Sequence, residues 1–245
     1  MLKVKHVTKK FGDFTAISDV SLDVKKGEIV GFIGPNGSGK STTIDLILGL
    51  TQATSGQIEI AGEQLNRNNA AKLRQNMSFL STDMNLDRTV TGRQALTYFA
   101  NLRHIPESEQ SSRIDHLAGL LNANLDKPIK KLSRGNRQKI SLIASLLSRP
   151  KLLVMDEPTS GFDPVVQNIF IDLIRQHKKD GGAGFISSHN LSEVGEICDR
   201  VIFIVGGKVV ANKQMAELQD VAPKHEVIDL DAVFEKLVQT HQDTR

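Results

Sequence analysis

The 245-residue sequence has little cysteine, little charge imbalance and no long apolar run. The single Cys198 excludes an internal disulfide framework, fits a reducing compartment and argues against a cysteine-ligated zinc site. Lysine and arginine exceed aspartate and glutamate by only 31 to 28, which is too slight a bias to indicate nucleic-acid binding by itself. Apolar runs such as residues 201–205 are far shorter than the ~18 residues of a membrane span, and residues 1–12 lack the apolar segment of a secretion signal. We therefore expect a cytosolic protein, which would act at a membrane only through a partner.

What the sequence does contain is an alternation of strand and helix signals along most of its length. Residues 2–7 and 17–24 alternate with period two and are predicted to form strands of a small antiparallel sheet. Between residues 88 and 149 helical spacing takes over, and Thr91 and Gln94 form a predicted capping box at its start. Together these patterns predict an α/β protein with an all-helical insertion.

After Pro150 the alternation of strands and helices returns, including a helix predicted to be capped by Asn190 and Glu193. The last predicted helix, near residues 229–241, is amphipathic. The sequence contains no internal repeat, and we expect no separate regulatory domain in the roughly 30 residues after the last predicted strand. The predicted organisation is one domain over residues 1–245, with a core of 1–87 and 150–211, a helical subdomain of 88–149 and a short tail of 212–245.

Residues 34–41, GPNGSGKS, match the pattern G-x-x-x-x-G-K-S/T in full, between a predicted strand and a predicted helix. The glycines let the backbone curl so that successive N–H groups converge on phosphate oxygens. The alternative, a glycine-rich turn with an exposed lysine, is disfavoured by the motif and its context together. We expect Lys40 to neutralise the β and γ phosphates of a nucleoside triphosphate and the Ser41 hydroxyl to bind magnesium. The predicted nucleotide-binding residues of this loop are Gly34, Pro35, Asn36, Gly37, Ser38, Gly39, Lys40, Ser41 and Thr42.

Two acidic residues follow a predicted buried strand in the segment KLLVMDEP, residues 151–158. The strand presents Asp156 and Glu157 at the carboxyl edge of the sheet, where ligands of open α/β sheets bind. Asp156 suits the shell of a magnesium ion, usually through water. Glu157 is placed to act as the general base or to orient an attacking water. The alternative is a pair of acids that merely cap a strand before Pro158.

Residues 132–142, LSRGNRQKISL, predict a helix capped by Ser133. Its first turn holds Arg134 and Arg137 and no acidic residue, although the N-terminal end of a helix favours anions. Such an arrangement is electrostatically unfavourable on its own. Either it is a tolerated feature of the surface, or an anion docks there.

Five motifs in a fixed order resemble the nucleotide-binding subunits of ABC transporters, from Leu2 to about Glu217. They are GPNGSGKS, LSRGN, LLVMDEP, SGFD at residues 160–163 and SSH at residues 187–189. The resemblance implies a P-loop NTPase (RecA-like) core with an N-terminal antiparallel β subdomain and an inserted all-helical subdomain. It also implies an ATPase that uses ATP and Mg2+ and powers a separate membrane permease. The segments LSRGNRQK and LDRTVTGRQAL are more similar to those of export systems than to those of importers.

The resemblance assigns roles to three residues outside the loop. Phe11 is similar in position to an aromatic that stacks on adenine, with an apolar residue at a strand end as the alternative. His189 resembles the switch histidine that contacts the γ-phosphate. Asp163, with Ser160 and Gly161, resembles the loop that couples two active sites, although an aspartate before Pro164 is also a good helix cap.

LSRGN resembles the signature, more usually LSGGQ, which binds the γ-phosphate of ATP held by a second subunit. The resemblance therefore implies that Ser133, Gly135 and Asn136 contact nucleotide across a dimer of this chain, or of this chain with a paralogous ATPase subunit. It leaves open whether Arg134, at a position that is usually glycine, contacts phosphate or points into solvent.

A second departure concerns the metal site. Thr82 occupies the position where the family usually has a glutamine that reaches magnesium and the attacking water, and Asp83 is an alternative replacement. The shorter side chain predicts slow hydrolysis.

Three functions account for some or all of these motifs. The favoured one is an ATPase subunit at the cytoplasmic face of the cell membrane, with a permease as partner and no nucleic acid, in which residues 88–149 and the 82–92 loop dock the permease. A soluble ABC-type ATPase that acts on ribosomes or DNA usually has two cassettes or a long coiled coil, and this chain has one phosphate loop. A P-loop kinase is disfavoured because LSRGN, the two acids and His189 suit attack by water.

Overall fold

The computed structural model describes residues 1–81, 87–189 and 195–219. The N-terminal part forms an antiparallel sheet with the strand order β2-β1-β4-β5. Its strands are β1 (Leu2–Phe11), β2 (Phe14–Val24), β4 (Ser55–Ile60) and β5 (Glu63–Gln64). The period-two alternation over residues 2–7 and 17–24 therefore predicted two strands correctly.

A larger sheet has the order β10-β9-β3-β8-β7-β6, parallel except for the edge strand β10. Its strands are β3 (Ile29–Ile33), β6 (Met77–Ser81), β7 (Leu152–Asp156), β8 (Ala183–Ser188), β9 (Arg200–Val205) and β10 (Lys208–Gln214). The accompanying helices are α1 (Lys40–Ile47), α2 (Ala70–Arg74), α6 (Pro164–Lys179) and α7 (Met215–Gln219). β10 extends beyond residue 211, where the core was predicted to end.

The central strands of the larger sheet face two separate cores. In β3, Val30 and Phe32 pack against the antiparallel sheet, whereas Ile29 and Ile33 pack against the helical segment. A strand that is buried on both faces must be apolar at every position, because its side chains alternate between the faces. This explains the uninterrupted apolar runs that predicted these strands.

The helical segment lies between β6 and β7 and packs on one face of the larger sheet. It contains α3 (Gly92–Leu102), α4 (Glu107–Leu121), a 3-10 turn (Ile129–Lys131) and α5 (Arg134–Leu146). The predicted capping box at the start of α3 is confirmed: Gln94 N donates to Thr91 Oγ1 at 3.2 Å, and Thr91 N donates to Gln94 Oε1 at 2.9 Å.

A buried ion pair connects the two sheets. Arg200 on β9 donates to Glu28 Oε1 at 2.9 Å, to the carbonyl oxygen of Asp23 at 2.8 Å and to Asn212 Oδ1 at 3.0 Å. Burial raises the pKa of Glu28, but hydrogen bonds from Arg200 and from the backbone of Lys25 outweigh it and hold this pKa below its usual value.

Several predictions lie outside the described residues: the helix cap at Asn190 and Glu193, the helix near residues 229–241, and the roles of Thr82 and Asp83. Within the described ranges, no helix has the length and apolar character needed to cross a membrane.

Candidate active site

The glycine-rich loop between β3 and α1 borders a cavity of about 470 Å³. Gly39 takes φ of +105°, and a Cβ atom at this position would lie 2.5 Å from Ile17 Cγ2, so that only glycine fits here. The cavity lies at the carboxyl end of β3, as expected for a ligand site of an open α/β sheet. It is lined by Phe14, Ala16, Asn36, Gly37, Gly39, Lys40, Ser41, Thr42, Asp156 and Glu157.

Lys40 is buried beneath the loop. Its Nζ atom donates to the carbonyl oxygens of Gly34 at 2.7 Å and Pro35 at 3.2 Å, and it lies 4.0 Å from Glu157 Oε1. Burial lowers the pKa of Lys40, although the carboxylates of Glu157 and Asp156 oppose this shift. The loop therefore curls around an ammonium group that lies beside the predicted catalytic acid.

Asp156 ends β7 and faces the start of α1. Its Oδ2 accepts a hydrogen bond from Ser41 Oγ at 3.2 Å, and its Oδ1 accepts one from Ser187 Oγ on the neighbouring strand β8. A hydroxyl and a carboxylate are hard oxygen ligands of the kind that magnesium prefers. No cluster of three or more histidine, cysteine or acidic residues that could form a closed metal cage occurs among the described residues. The pair therefore fits an ion that keeps several waters or phosphate oxygens.

Glu157 follows with a backbone φ of +51°, a value that is unusual for a residue with a side chain. Its N–H donates to the carbonyl oxygen of Ser187 at 3.1 Å, which holds the turn against β8. Its carboxylate contacts Nδ1 of His189, whose side chain is mostly exposed. The structure thus brings together Lys40, Ser41, Asp156, Glu157 and His189, as the motifs predicted.

The aromatic residue that lines the cavity is Phe14. Phe11 and Phe14 are partners across the β1–β2 hairpin, and Lys9 Nζ lies 4.6 Å from the centre of the Phe11 ring. Stacking of adenine on Phe11 stays a prediction, and Phe14 is a second aromatic at the same hairpin. Phe14 was not predicted from the sequence, although the short turn between the two phenylalanines indicates that they pair.

Ser133 caps α5 as predicted, and its Oγ accepts from Asn136 N at 3.2 Å. A Cβ at Gly135 would meet nothing within 4 Å, so the backbone of this turn is open to an approaching group. The amide of Asn136 holds the backbone of Asn124, with its Oδ1 accepting at 2.7 Å and its Nδ2 donating at 2.8 Å. Binding of nucleotide by the Asn136 side chain therefore stays a prediction, and the open backbone is the more accessible part of the turn.

Asp163 caps α6, and its Oδ1 accepts from Val166 N at 2.9 Å. A coupling role for Asp163 stays a prediction beside this structural one. Two further residues of the site, Ser187 and Gln138, were not predicted from the sequence. Ser187 holds Asp156, and Gln138 on α5 donates to the carbonyl oxygen of Ser160.

A parallel sheet with a phosphate loop after β3 and two acids at the end of β7 defines a P-loop NTPase. The family model described as ABC transporter matches residues 17–160. The uncharacterized ABC transporter ATP-binding protein YhaQ of Bacillus subtilis (strain 168) is 33% identical over 221 residues, which are 89% of this chain and 73% of that protein. The lantibiotic transport ATP-binding protein SrtF of Streptococcus pyogenes is 33% identical over 215 residues, which are 87% of this chain and 91% of that protein.

A solved structure described as the ATP binding subunit of an ABC transporter superimposes with a TM-score of 0.89 and 26% identity, covering 97% of this chain and 99% of that one. The chain belongs to the ABC transporter family as an ATP-binding subunit, and it is an ATPase. The predicted family and fold class are confirmed.

Proposed function

We propose that this chain works as a dimer that holds two ATP molecules between its subunits and drives export through a separately encoded membrane permease. The observation that carries the dimer is the separation between the phosphate cavity and the start of α5. The residues that line the cavity come from β2, the phosphate loop, α1 and the end of β7. Ser133 and Gly135 do not line it: Ser133 is exposed, and the space beside the Gly135 backbone is open.

The start of α5 has the properties of an anion site. Helix geometry leaves the N–H groups of Arg134 and Gly135 without a partner inside the helix, and the first turn contains no acidic residue. The positive end of the helix therefore favours a phosphate. Since this turn does not border the chain's own cavity, a second subunit is the natural source of that phosphate.

Within one subunit, the proposed roles follow the geometry. Lys40 neutralises phosphate charge, and the oxygens of Ser41 and Asp156 hold Mg2+, with Thr82 as a further proposed ligand. Bound magnesium would neutralise the charge on the phosphate oxygens. Glu157 accepts a proton from the attacking water or orients it, and His189, which is paired with Glu157, contacts the γ-phosphate. The cofactors are therefore ATP and Mg2+.

An exposed apolar patch supports the contact with a permease. Tyr98 and Leu102, one turn apart on α3, are 61% and 54% exposed, and Leu50 is 63% exposed. Two arginine side chains connect the segments that carry these residues, because the guanidinium of Arg103 donates to the carbonyl oxygen of Arg74 and that of Arg74 donates to the carbonyl oxygen of Leu48. We infer that this patch and the 82–92 segment dock the permease at the cytoplasmic face of the membrane.

The names of relatives favour transport over the alternatives. The lantibiotic transport relative supports export, and its name gives no support to a ribosome- or DNA-directed ATPase. Copurification with an integral permease from detergent-solubilised membranes tests this part of the proposal. Loss of the permease from Tyr98→Glu protein, with ATP binding retained, is the expected result; equal copurification of the variant would contradict docking at the patch.

The dimer is tested by light scattering of Glu157→Gln protein, in which slow hydrolysis preserves bound ATP. We expect dimers with ATP and monomers without it. Adding Ser133→Arg should abolish the ATP-dependent dimer, because the new side chain fills the anion site. Ser112→Arg, at an exposed serine of α4, is the matched control and should leave dimerisation intact. Glu157→Gln protein that binds ATP but stays monomeric would refute the proposal.

A further inference from the structure

Gln138 joins α5 to the loop that carries Glu157. Its side chain is 5% exposed, and its Nε2 atom donates a hydrogen bond to the carbonyl oxygen of Ser160. Ser160 in turn donates its N–H to the carbonyl oxygen of Glu157 at 3.2 Å. A single side chain on α5 therefore holds the turn that begins at the proposed catalytic acid.

Gly161 packs against the same amide group. Its φ is +86°, and a Cβ atom added there would lie 3.2 Å from both Nε2 and Oε1 of Gln138. A larger residue would strain the backbone and press on the amide. The Gln138 amide is therefore held between α5 and this loop by a hydrogen bond to Ser160 and by close packing against Gly161.

Stability alone does not explain a glutamine at this position. The Oε1 atom of Gln138 is buried without a hydrogen-bond partner. A buried polar atom that lacks a partner destabilises the folded state. Methionine has a similar length, no such atom and the flexibility to fill the same space. The unpaired Oε1 atom therefore offsets the stability gained from the hydrogen bond of Nε2, and the contact that the amide does make is with the active-site loop.

We propose that Gln138 is a positioning residue that couples the two half-sites of one subunit. This rests on the proposed dimer, in which the start of α5 contacts the partner's ATP while Glu157 acts on the subunit's own ATP. Gln138 lies little more than one helical turn after Ser133 on the same rigid helix. When α5 moves to engage the partner's nucleotide, the hydrogen bond carries the Ser160 carbonyl, and with it Glu157, in the same direction.

The test compares Gln138→Met with Gln110→Met. Gln110 is 7% exposed, and its Nε2 donates to Asn101 Oδ1 at 2.8 Å and to the carbonyl oxygen of Ile105 at 2.9 Å, within the helical segment. We expect Gln138→Met to keep or raise the midpoint of thermal unfolding and to bind a fluorescent ATP analogue as the wild type does. Its kcat should fall at least about tenfold because Glu157 is misplaced. The Hill coefficient for ATP should fall from about 2 towards about 1, because two coupled sites give a coefficient of at most about 2. Gln110→Met should lose stability and keep the cooperativity.

An unchanged kcat and Hill coefficient in Gln138→Met would overturn the inference, and so would an equal loss in Gln110→Met. A Gln138→Met protein too unstable to purify would contradict the stability argument; Gly161→Ala then perturbs the same contact from the loop side and must lower the Hill coefficient. If Glu157→Gln protein stays a monomer with ATP and the wild type shows no cooperativity, the proposed function fails instead. In that case kcat of Gln138→Met decides whether Gln138 positions Glu157.

Discussion

Replacing Ser187 by alanine removes the hydroxyl that orients the proposed metal-binding carboxylate. Ser187 is fully buried on β8, and its Oγ donates to Asp156 Oδ1. Hydrogen bonds to charged groups contribute about 1.5–3 kcal/mol, and this one is lost entirely in Ser187→Ala. The hydrogen bond from Glu157 N–H to the carbonyl oxygen of Ser187, at 3.1 Å, does not involve the hydroxyl. The turn at Glu157 should therefore persist in the variant.

The lost free energy should divide between stability and catalysis. We expect the free energy of unfolding to fall by about 1–2 kcal/mol, because Asp156 keeps its contact with Ser41. A carboxylate that has lost an orienting hydrogen bond binds its ion less well, and such a loss typically weakens metal affinity about 10- to 100-fold. The Mg2+ concentration that gives half-maximal ATP hydrolysis should therefore rise at least about tenfold.

The assay is steady-state phosphate release titrated with Mg2+ at saturating ATP, together with urea unfolding of the same protein. Ser78→Ala is the matched control, because Ser78 is a buried serine on β6 that lies 3.5 Å from Arg103 rather than near Asp156. Ser78→Ala should lower the free energy of unfolding without changing the Mg2+ concentration that gives half-maximal ATP hydrolysis. A Ser187→Ala protein with the wild-type Mg2+ dependence would show that the hydroxyl serves the fold alone and would refute the reasoning.

Three further predictions concern other parts of the molecule. Thr82→Gln should raise kcat for ATP severalfold, because a longer amide reaches the attacking water; unchanged or lower turnover in a folded variant would count against it. Phe14→Ala should weaken binding of a fluorescent ATP analogue by about 1 kcal/mol or more if this ring stacks on adenine, whereas Phe11→Ala should do so if the family position is used; equilibrium titration distinguishes them. Arg200→Met should lower the free energy of unfolding at pH 7 by about 3 kcal/mol, because it leaves Glu28 buried and charged. Since the low pKa of Glu28 stabilises the protein above the unfolded value of 4.5 and this contribution is lost as the pH falls, the deficit should shrink in acid; a deficit in urea unfolding that does not depend on pH would contradict the ion-pair explanation.

The parts of the fold that the sequence predicted are those encoded by neighbouring residues. The apolar run before Asp156, the phosphate loop and the capping box at Thr91 each depend on a few consecutive positions, and each is present in the structure. The start of α5 was predicted for the same reason, because Ser133 and its first turn lie within one short segment.

The contacts that were missed join residues far apart in the chain. Ser187 meets Asp156 across neighbouring strands, and Gln138 meets Ser160 between a helix and a loop. Serine and glutamine are common polar residues with no local pattern that indicates burial. The pairing of Asn136 with Asn124 likewise depends on how the segment after α4 folds back on α5. Only the tertiary arrangement assigns partners to such side chains.

The attachment of α3 to β6 has a mechanical consequence. Arg103 donates to the carbonyl oxygen of Met77 at 2.7 Å, at the first residue of β6, and the last residue, Ser81, lies opposite Asp156 on β7. A strand rises about 3.3 Å per residue, so roughly 13 Å of stiff backbone joins these two ends. A displacement of α3 by a bound partner would therefore be transmitted along β6 and would shift the backbone beside Asp156 at the nucleotide site.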